Sequence, residues 1–192
     1  MLDFYLLSLL CVFFLFWFWS GVKPLHRDAW FLENILVVVL LPLLFLSVKF
    51  FPLSLVSYSL ITLFLILHVV GSHYTYAKTP IGRIVGGLFG TKRNMYDRLV
   101  HFSYGLLLTY PIMELMVNFG LVNGFWAYYF PLEFIVATSG LFEIIEWFVA
   151  KTADNKAGIS FLGAQGDVWD AQKDMAVAAL GSIITTMIVY FL

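Results

Sequence analysis

Residues 53–70 read LSLVSYSLITLFLILHVV, a continuous apolar stretch that contains no Asp, Glu, Lys or Arg. At a rise of 1.5 Å per residue, a helix of this length is about 27 Å long, close to the ~30 Å hydrocarbon core of a bilayer. The apolar residues do not alternate with polar ones, as they would in a strand of a membrane barrel. The stretch therefore predicts a transmembrane helix, in which every backbone group is satisfied internally.

The composition of the whole chain agrees with this prediction. Of its 192 residues, 61% are hydrophobic and only 12% are charged, whereas soluble domains carry about 25% charged residues. The mean hydropathy is +0.91, and the formal net charge is −1. These values exclude a soluble globular domain, a disordered chain and a nucleic-acid-binding protein, and they indicate an integral membrane protein.

Five further stretches are long and apolar enough to cross a bilayer, so the sequence predicts an all-α fold. We expect one integral membrane domain over residues 1–192, built as a bundle of six transmembrane helices. The predicted spans are Leu2–Trp19, Ala29–Leu46, Leu53–Val70, Tyr96–Phe119, Phe125–Ala150 and Ala171–Phe191.

The distribution of basic residues predicts the orientation. With six spans, the side that holds both termini carries only Lys49, and the other side carries the other ten Lys and Arg residues. Basic loops remain in the cytoplasm. We therefore expect a multi-pass membrane protein with both termini outside the cytoplasm and the long loops inside it.

Three of the predicted helices carry pairs of ionisable residues near their cytoplasmic ends. The pairs are Asp97 and His101, Glu143 and Glu146, and Asp170 and Asp174. Spacings of three or four place both members of a pair on one helical face. Because ionisable groups are costly in lipid, we expect these faces to turn inward and meet.

So many acids in one place need neutralisation, and a divalent metal could provide it. Imidazole and carboxylate groups are ligands for Zn²⁺, Mn²⁺ or Mg²⁺. The predicted ligands are His101, Glu143, Glu146, Asp170 and Asp174, with His73 as a further candidate. The predicted catalytic residues are Asp97, which would orient His101, together with His101, Glu143 and Glu146, and the predicted contacts of a membrane lipid or lipid-linked substrate are Tyr104, Arg98 and Trp169.

Other roles for these acids remain open. Asp167, Asp170 and Asp174 precede or begin a helix, where acids cap the backbone and favour the helix dipole. Glu143 and Glu146 lie near a helix C-terminus, where the dipole disfavours acids. Salt bridges to arginines or protonation of the carboxyl groups would also remove the repulsion. Three functions therefore remain: metal-assisted chemistry on a lipid, non-enzymatic lipid binding or transport with a proton or cation relay, and a structural ion-pair network.

Four features outside this cluster also give predictions. His68 is expected to be a hydrogen-bonded histidine inside a helix, and Glu114 to be a lone protonated acid or a relay. The stretch Thr79–Phe89 predicts a short surface helix. The long stretch Ala153–Gln172 contains apolar residues between glycines and predicts a lid that dips into the interface.

Several segments resemble the YjdF-type family of bacterial inner-membrane proteins from about Ala29 onward. They are YDRLVHFSYG at 96–105, Glu143-x-x-Glu146-Trp147, GAQGDVWDAQKDM at 163–175 and LHxxGSHYTY at 67–76. That family is largely uncharacterised, so the resemblance implies a membrane location and leaves the reaction open.

A more distant pattern is similar to that of VanZ-type proteins, which are associated with glycopeptide antibiotic resistance. Their Lys/Asp-x-x-x-His start corresponds to Asp97 and His101, and their Glu-x-x-Gln pair to Glu143 and Glu146, with Glu in place of the usual Gln. Their later acid, which precedes a small-residue helix, corresponds to Asp170 or Asp174, followed by Gly181.

Overall fold

The computed structural model describes residues 4–152 and 164–192. These residues form helices and no strand, which confirms the all-α prediction. The helices are α1 (Phe4–Gly21), α2 (Arg27–Phe50), α3 (Leu55–Tyr74), α4 (Pro80–Leu88), α5 (Tyr96–Asn118), α6 (Trp126–Thr152) and α7 (Asp170–Phe191).

Five of these helices are long and apolar enough to cross a membrane: α1, α2, α3, α5 and α7. Helix α6 is the longest, yet it is not among the five. Its apolar sequence is interrupted by Glu133, Glu143, Glu146 and Lys151. The chain is thus an all-helical membrane protein, and the count of six spans stays a prediction.

The C-terminal end of helix α3 lies about one turn further along the chain than the sequence predicted. The predicted span ended at Val70, just before Gly71, but the helix continues to Tyr74 and ends at Thr75, which adopts the left-handed conformation with φ +54°. Gly71 instead makes room for a packed ring, because a Cβ atom there would lie 2.7 Å from Tyr76 Cζ. The predicted end was therefore wrong, and His73 belongs to the last turn of α3.

The predicted short helix is present as α4, which begins at Pro80. A proline is favoured there because its missing N–H needs no partner in the first turn. Helix α4 lies against the start of α5, and Gly82 allows this close approach, since a Cβ atom there would lie 2.5 Å from the Tyr96 backbone nitrogen.

Helices α5 and α7 form the closest helix pair of the fold. Gly105 and Gly181 lie at their crossing, where a Cβ atom would come within 1.9 Å of Ala178 O and 2.3 Å of Phe102 O, respectively. Small residues allow such close backbone approach in membrane helices. Helix α6 packs against both α5 and α7. This three-helix unit brings Asp97 of α5, the Glu143–Glu146 pair of α6 and the Asp170–Asp174 pair of α7 to one end of the bundle.

The segment before α7 is attached to the start of α5 by a paired side chain. Gln165 accepts a hydrogen bond from Asn94 N at 2.9 Å and donates one to Asn94 O at 3.0 Å. This attachment fixes Asp167 and Asp170 near the first turn of α5. Most of the predicted lid, residues 153–163, lies outside the described residues.

Candidate functional site

His101 lies between an acid of its own helix and an acid of α6. Its Nε2 atom is 3.4 Å from Glu143 Oε1 and 3.8 Å from Asp97 Oδ1. The ring of Phe142 meets the imidazole with 6.1 Å between centroids. Glu146, one turn further along α6, is buried with 7% of its surface exposed. The ionisable faces of α5 and α6 therefore meet as their spacing predicts.

Three aspartates from α5 and α7 converge beside this histidine. Asp97, Asp170 and Asp174 are all buried, and each contributes a carboxylate oxygen that lies within 4.8 Å of the others. The side chain of Asp174 is only 1% exposed. Its Oδ1 atom has no hydrogen-bond partner among the described residues. A buried carboxylate oxygen without a donor is costly unless a cation or proton neutralises it.

Two arginines bind part of this acidic cluster. Arg93 forms an ion pair with Asp170 and donates to Ala164 O at 2.5 Å. Arg98 lies 3.2 Å from Asp170 Oδ1 through Nη2, and its Nε is 3.6 Å from Asp174 Oδ1, too far for a hydrogen bond. Asp170 thus has two guanidinium partners, whereas Asp174 has one distant partner.

Asp167 precedes α7 and has several donors. It accepts hydrogen bonds from Lys173 Nζ at 2.7 Å, Arg98 Nη2 at 2.7 Å and the Trp169 backbone at 3.1 Å. The Lys173 ammonium, the Trp169 N–H and the Arg98 guanidinium lower the pKa of this carboxyl below its usual range. Asp167 is therefore an ionised anchor for the start of α7.

Glu33 of α2 is a site residue that the sequence reasoning missed. Its side chain is buried in the bundle, with 5% of the residue exposed, and it interacts electrostatically with Asp97 and Glu146. The available signal was that Glu33 is the one acid in the predicted span Ala29–Leu46, which is unusual unless the acid faces the protein interior.

A histidine–tyrosine pair lies next to Glu33. His68 Nε2 is 3.0 Å from Glu33 O, and its Nδ1 is 2.6 Å from the Tyr76 hydroxyl. Burial raises the pKa of Tyr76 well above its ordinary value. The hydroxyl therefore stays protonated and donates a hydrogen bond to Nδ1 of His68. The predicted hydrogen-bonded interior histidine is therefore confirmed.

A cavity of about 520 Å³ extends from this polar cluster into the bundle. Its polar end includes His68, Tyr76, Asp97, His101 and Glu146, and the rest is mostly Leu, Ile, Val and Phe side chains from α2, α3, α5 and α6. A volume of this size is in the range of small-molecule and cofactor sites.

The cavity follows one face of α5 along most of that helix. Its lining residues recur at steps of three or four from Asp97 through Tyr104 and Leu108 to Leu115, a length of about 27 Å. Helices α2 and α6 both line the cavity, and they do not pack closely against each other in the described chain. The cavity therefore has one polar end and a long apolar body.

The remaining predicted site residues lie at three different places. Tyr104 lines the cavity and bonds Thr138 Oγ1 at 2.6 Å, and Arg98 lies in the acidic cluster. Trp169 is 62% exposed at the surface and does not line the cavity. His73 lies apart from the acids: its Nδ1 is 3.0 Å from Ser20 O and its ring stacks on Trp19.

Glu114 is neither a lone acid nor part of the cluster. It accepts hydrogen bonds from Ser54 N at 2.7 Å, from Ser54 Oγ at 2.9 Å and from Ser57 Oγ. Ser54 is the N-cap residue of α3, so the carboxylate binds the start of that helix. This is a structural role at the end of α5 opposite to the cluster.

Comparison with known proteins identifies relatives but no activity. The chain is 36% identical over 170 residues, 88% of this chain and 81% of the relative, to the inner membrane protein YjdF of Escherichia coli (strain K12). No solved structure matches the chain significantly. The resemblance to VanZ-type proteins gains no support and stays a prediction. A model of predicted membrane proteins, DUF2238, matches residues 5–192, and the chain therefore belongs to that family.

Proposed function

We propose that this protein is a membrane enzyme that acts on a lipid or lipid-linked substrate at the cytoplasmic face of the bacterial inner membrane, with the help of a divalent metal. The observation that carries the proposal is the continuity of a long apolar cavity with a buried imidazole–carboxylate cluster. A cavity with one polar end matches an amphiphile, whose head and tail have the same arrangement.

The apolar body of the cavity suits a hydrocarbon chain. A water molecule occupies about 30 Å³ in the liquid, and a methylene group is of similar size, so the cavity has room for one chain rather than two. We propose that this chain enters laterally between α2 and α6, since both helices line the cavity and they do not pack closely against each other in the described chain. The head of the lipid would then lie against Asp97 and His101.

The polar end has the groups that acid–base chemistry requires. His101 lines the polar end of the cavity and lies 3.4 Å from Glu143, with which it can exchange a proton. Asp97 places a further carboxyl group 3.8 Å from the same imidazole. A divalent ion at the neighbouring carboxylates would polarise a phosphoryl or carbonyl oxygen or activate water.

We further propose that α6 is the sixth span, which places both termini outside the cytoplasm. Helix α6 runs antiparallel to α5 and α7 along their length: Phe142 meets His101 at one end, and Tyr128 meets Tyr190 at the other. A reporter fused to Leu192 tests this orientation, because activity of a cytoplasmic reporter at that end would contradict it.

The substrate proposal is tested with a substitution that fills the cavity. Leu108→Trp places an indole in the apolar body, so the protein purified in mild detergent should retain less lipid. Displacing two or more buried methylene groups, at about 0.8 kcal/mol each, predicts a loss of about tenfold or more in retained lipid. Native mass spectrometry of the purified protein measures it.

Leu141→Trp is the matched control, because Leu141 lies on the outer face of α6, is 55% exposed and does not line the cavity. The proposal requires that this variant retain lipid as the wild-type protein does. Equal retention by the Leu108 and Leu141 variants would show that the lipid is only annular.

The chemical part of the proposal is tested by comparing lipids before and after incubation with the protein. In nanodiscs made from a total bacterial lipid extract, the wild-type protein should consume one lipid species that the His101→Ala variant leaves intact. If both proteins bind the same lipid and neither changes it, the function is non-enzymatic lipid binding or transport, which the apolar cavity alone would also support.

A further inference from the structure

Asp174 is the most deeply buried acid of the cluster, and the bundle neutralises it incompletely. It is 1% exposed, its Oδ1 atom has no hydrogen-bond donor among the described residues, and Arg98 Nε is 3.6 Å away. It faces Asp97 and Asp170, whose carboxylate oxygens lie within 4.8 Å of its own. An acid held dry in front of two other acids is an arrangement that a cation would stabilise.

The charges around this point do not balance within the described chain. The buried or nearly buried carboxyl groups are Glu33, Asp97, Glu143, Glu146, Asp170 and Asp174. Their cationic neighbours are the guanidinium groups of Arg93 and Arg98. The remaining acids must be protonated or share a further cation.

The ligand set determines which cation fits. The three converging groups are all carboxylates, and hard oxygen ligands suit Mg²⁺ and Mn²⁺ better than they suit Zn²⁺, which prefers nitrogen and sulfur. Mg–O distances of about 2.1 Å limit two ligand oxygens on one ion to a separation of about 4.2 Å. The three oxygens lie within 4.8 Å of one another, so shifts of about half an ångström or less would let them share one ion.

We infer that Asp97, Asp170 and Asp174 bind one Mg²⁺ or Mn²⁺ ion, which is the metal that the proposed function requires. His101, Glu143 and Glu146 lie beside this trio and serve as proton-transfer groups rather than as its ligands. An octahedral ion with three carboxylate ligands keeps open positions for water or for oxygens of a substrate. Asp97 also lines the cavity, so those positions are accessible to a phosphate-bearing lipid head.

The ion itself is the probe in the test. The full-length protein in nanodiscs is titrated with Mn²⁺, and the sharp EPR signal of free aqueous Mn²⁺ reports what remains unbound. We expect one equivalent of bound Mn²⁺, which Mg²⁺ displaces. Asp174→Asn should weaken binding by at least about tenfold, because even groups that only support metal ligands commonly change affinity by that factor.

Asp174 is the preferred position because Asn has nearly the same shape and Asp174 Oδ1 has no hydrogen bond to lose. Asp97→Asn is the second variant, from the opposite helix, and it should weaken binding to a similar extent. Asp170 is avoided, since its replacement would also break the ion pairs with Arg93 and Arg98. Asp28→Asn, at an exposed acid of α2, is the control that should bind Mn²⁺ as the wild type does.

Absence of stoichiometric Mn²⁺ binding to the wild-type protein would overturn the inference. Retention of wild-type affinity by both the Asp174 and Asp97 variants would also overturn it. The lipid proposal fails separately: Mn²⁺ binding without retained lipid leaves the metal site standing, and retained lipid without Mn²⁺ binding removes the metal site alone.

Discussion

Helix α5 carries an acid near each of its ends, and the two have opposite surroundings. Glu114 accepts three hydrogen bonds, from Ser54 N, Ser54 Oγ and Ser57 Oγ, and so binds the start of α3. Asp97 faces Asp170 and Asp174 across the helix interface, and Asp174 Oδ1 has no donor among the described residues. Both acids lie in apolar segments, and only the one near the start of α5 belongs to an unbalanced group.

We interpret this difference as the one between a structural acid and the functional acid proposed above. A carboxylate that has donors on both oxygens, as Glu114 has, stabilises the fold and has little capacity left for a ligand, whereas Arg93 and Arg98 both bind Oδ1 of Asp170. A carboxylate left without donors costs stability, and proteins tolerate such costs mainly at functional sites. The predictions below test whether the two ends of α5 differ in this way.

The largest loss of stability is expected from a substitution at the crossing of α5 and α7. Gly105→Val would place a side chain against Ala178 O, where a Cβ atom alone would lie 1.9 Å away. Because neither backbone can move without separating the helices, the free energy of unfolding should fall by about 3 kcal/mol or more. Thermal unfolding in detergent measures this, and Mn²⁺ binding should disappear with the separation of Asp97 from Asp174.

Gly87→Ala in α4 is the control, because a Cβ atom at Gly87 meets nothing within 4 Å. This variant should unfold at or slightly above the wild-type temperature, since alanine is the better helix former. A Gly105→Val protein that kept wild-type stability and Mn²⁺ affinity would show that the α5–α7 contact does not assemble the acidic trio.

The second prediction compares Glu114 with Asp174, the acid of α7 that faces Asp97 at the other end of α5. The two substitutions should change the free energy of unfolding in opposite directions. Glu114→Gln replaces one acceptor with an amide that faces the Ser54 and Ser57 donors, and it should lower the free energy of unfolding by about 1–3 kcal/mol. Asp174→Asn removes a buried carboxylate whose Oδ1 atom has no hydrogen-bond donor among the described residues, so without metal it should raise the free energy of unfolding by about 1 kcal/mol. Both variants are measured by thermal unfolding in the presence of EDTA.

The same two variants are then compared by how much Mn²⁺ raises their stability. The ion should stabilise the Glu114→Gln protein as much as the wild type, because a ligand that binds the folded state raises its stability by mass action. It should leave Asp174→Asn unchanged. Destabilisation of both variants in EDTA would mean that Asp174 is a structural acid like Glu114.

The sequence predicts the helices well because each apolar stretch has enough length to cross a bilayer. It also predicts that His101 meets Glu143, since helical spacing places the ionisable faces inward. It fails at Gly71, where a glycine that accommodates the Tyr76 ring was interpreted as the end of α3. A glycine that permits close packing and one that ends a helix have the same letter, and only tertiary contacts distinguish them.

Spacing alone could not predict which acids belong to the cluster and which are bound by donors elsewhere in the fold. Nothing in a pattern of acids shows that Glu114 has serine donors from another helix, or that Glu33 of α2 joins the cluster. The cavity is also a tertiary feature, because four helices contribute to its walls. Sequence periodicity gives the inward face of each helix but not the space left between those faces.

The smallest effect concerns Asp167, which lies at the same end of the bundle as Asp97 and resembles Glu114 because donors surround it. Lys173, the Trp169 N–H and Arg98 lower the pKa of Asp167 in the folded state. A carboxyl group with a lowered pKa stabilises the fold above its unfolded pKa of about 3.9, and that contribution is lost as the pH falls towards the folded value.

Asp167→Asn should therefore lower the unfolding temperature by a constant amount between pH 7 and pH 5, and this deficit should shrink below about pH 4. Asp28→Asn serves as the exposed control, with a difference from wild type that should change little over the same range. A deficit for Asp167→Asn that stayed constant down to pH 3 would show that its donors do not favour the ionised form, and that the number of donors alone does not separate the structural acids from the others.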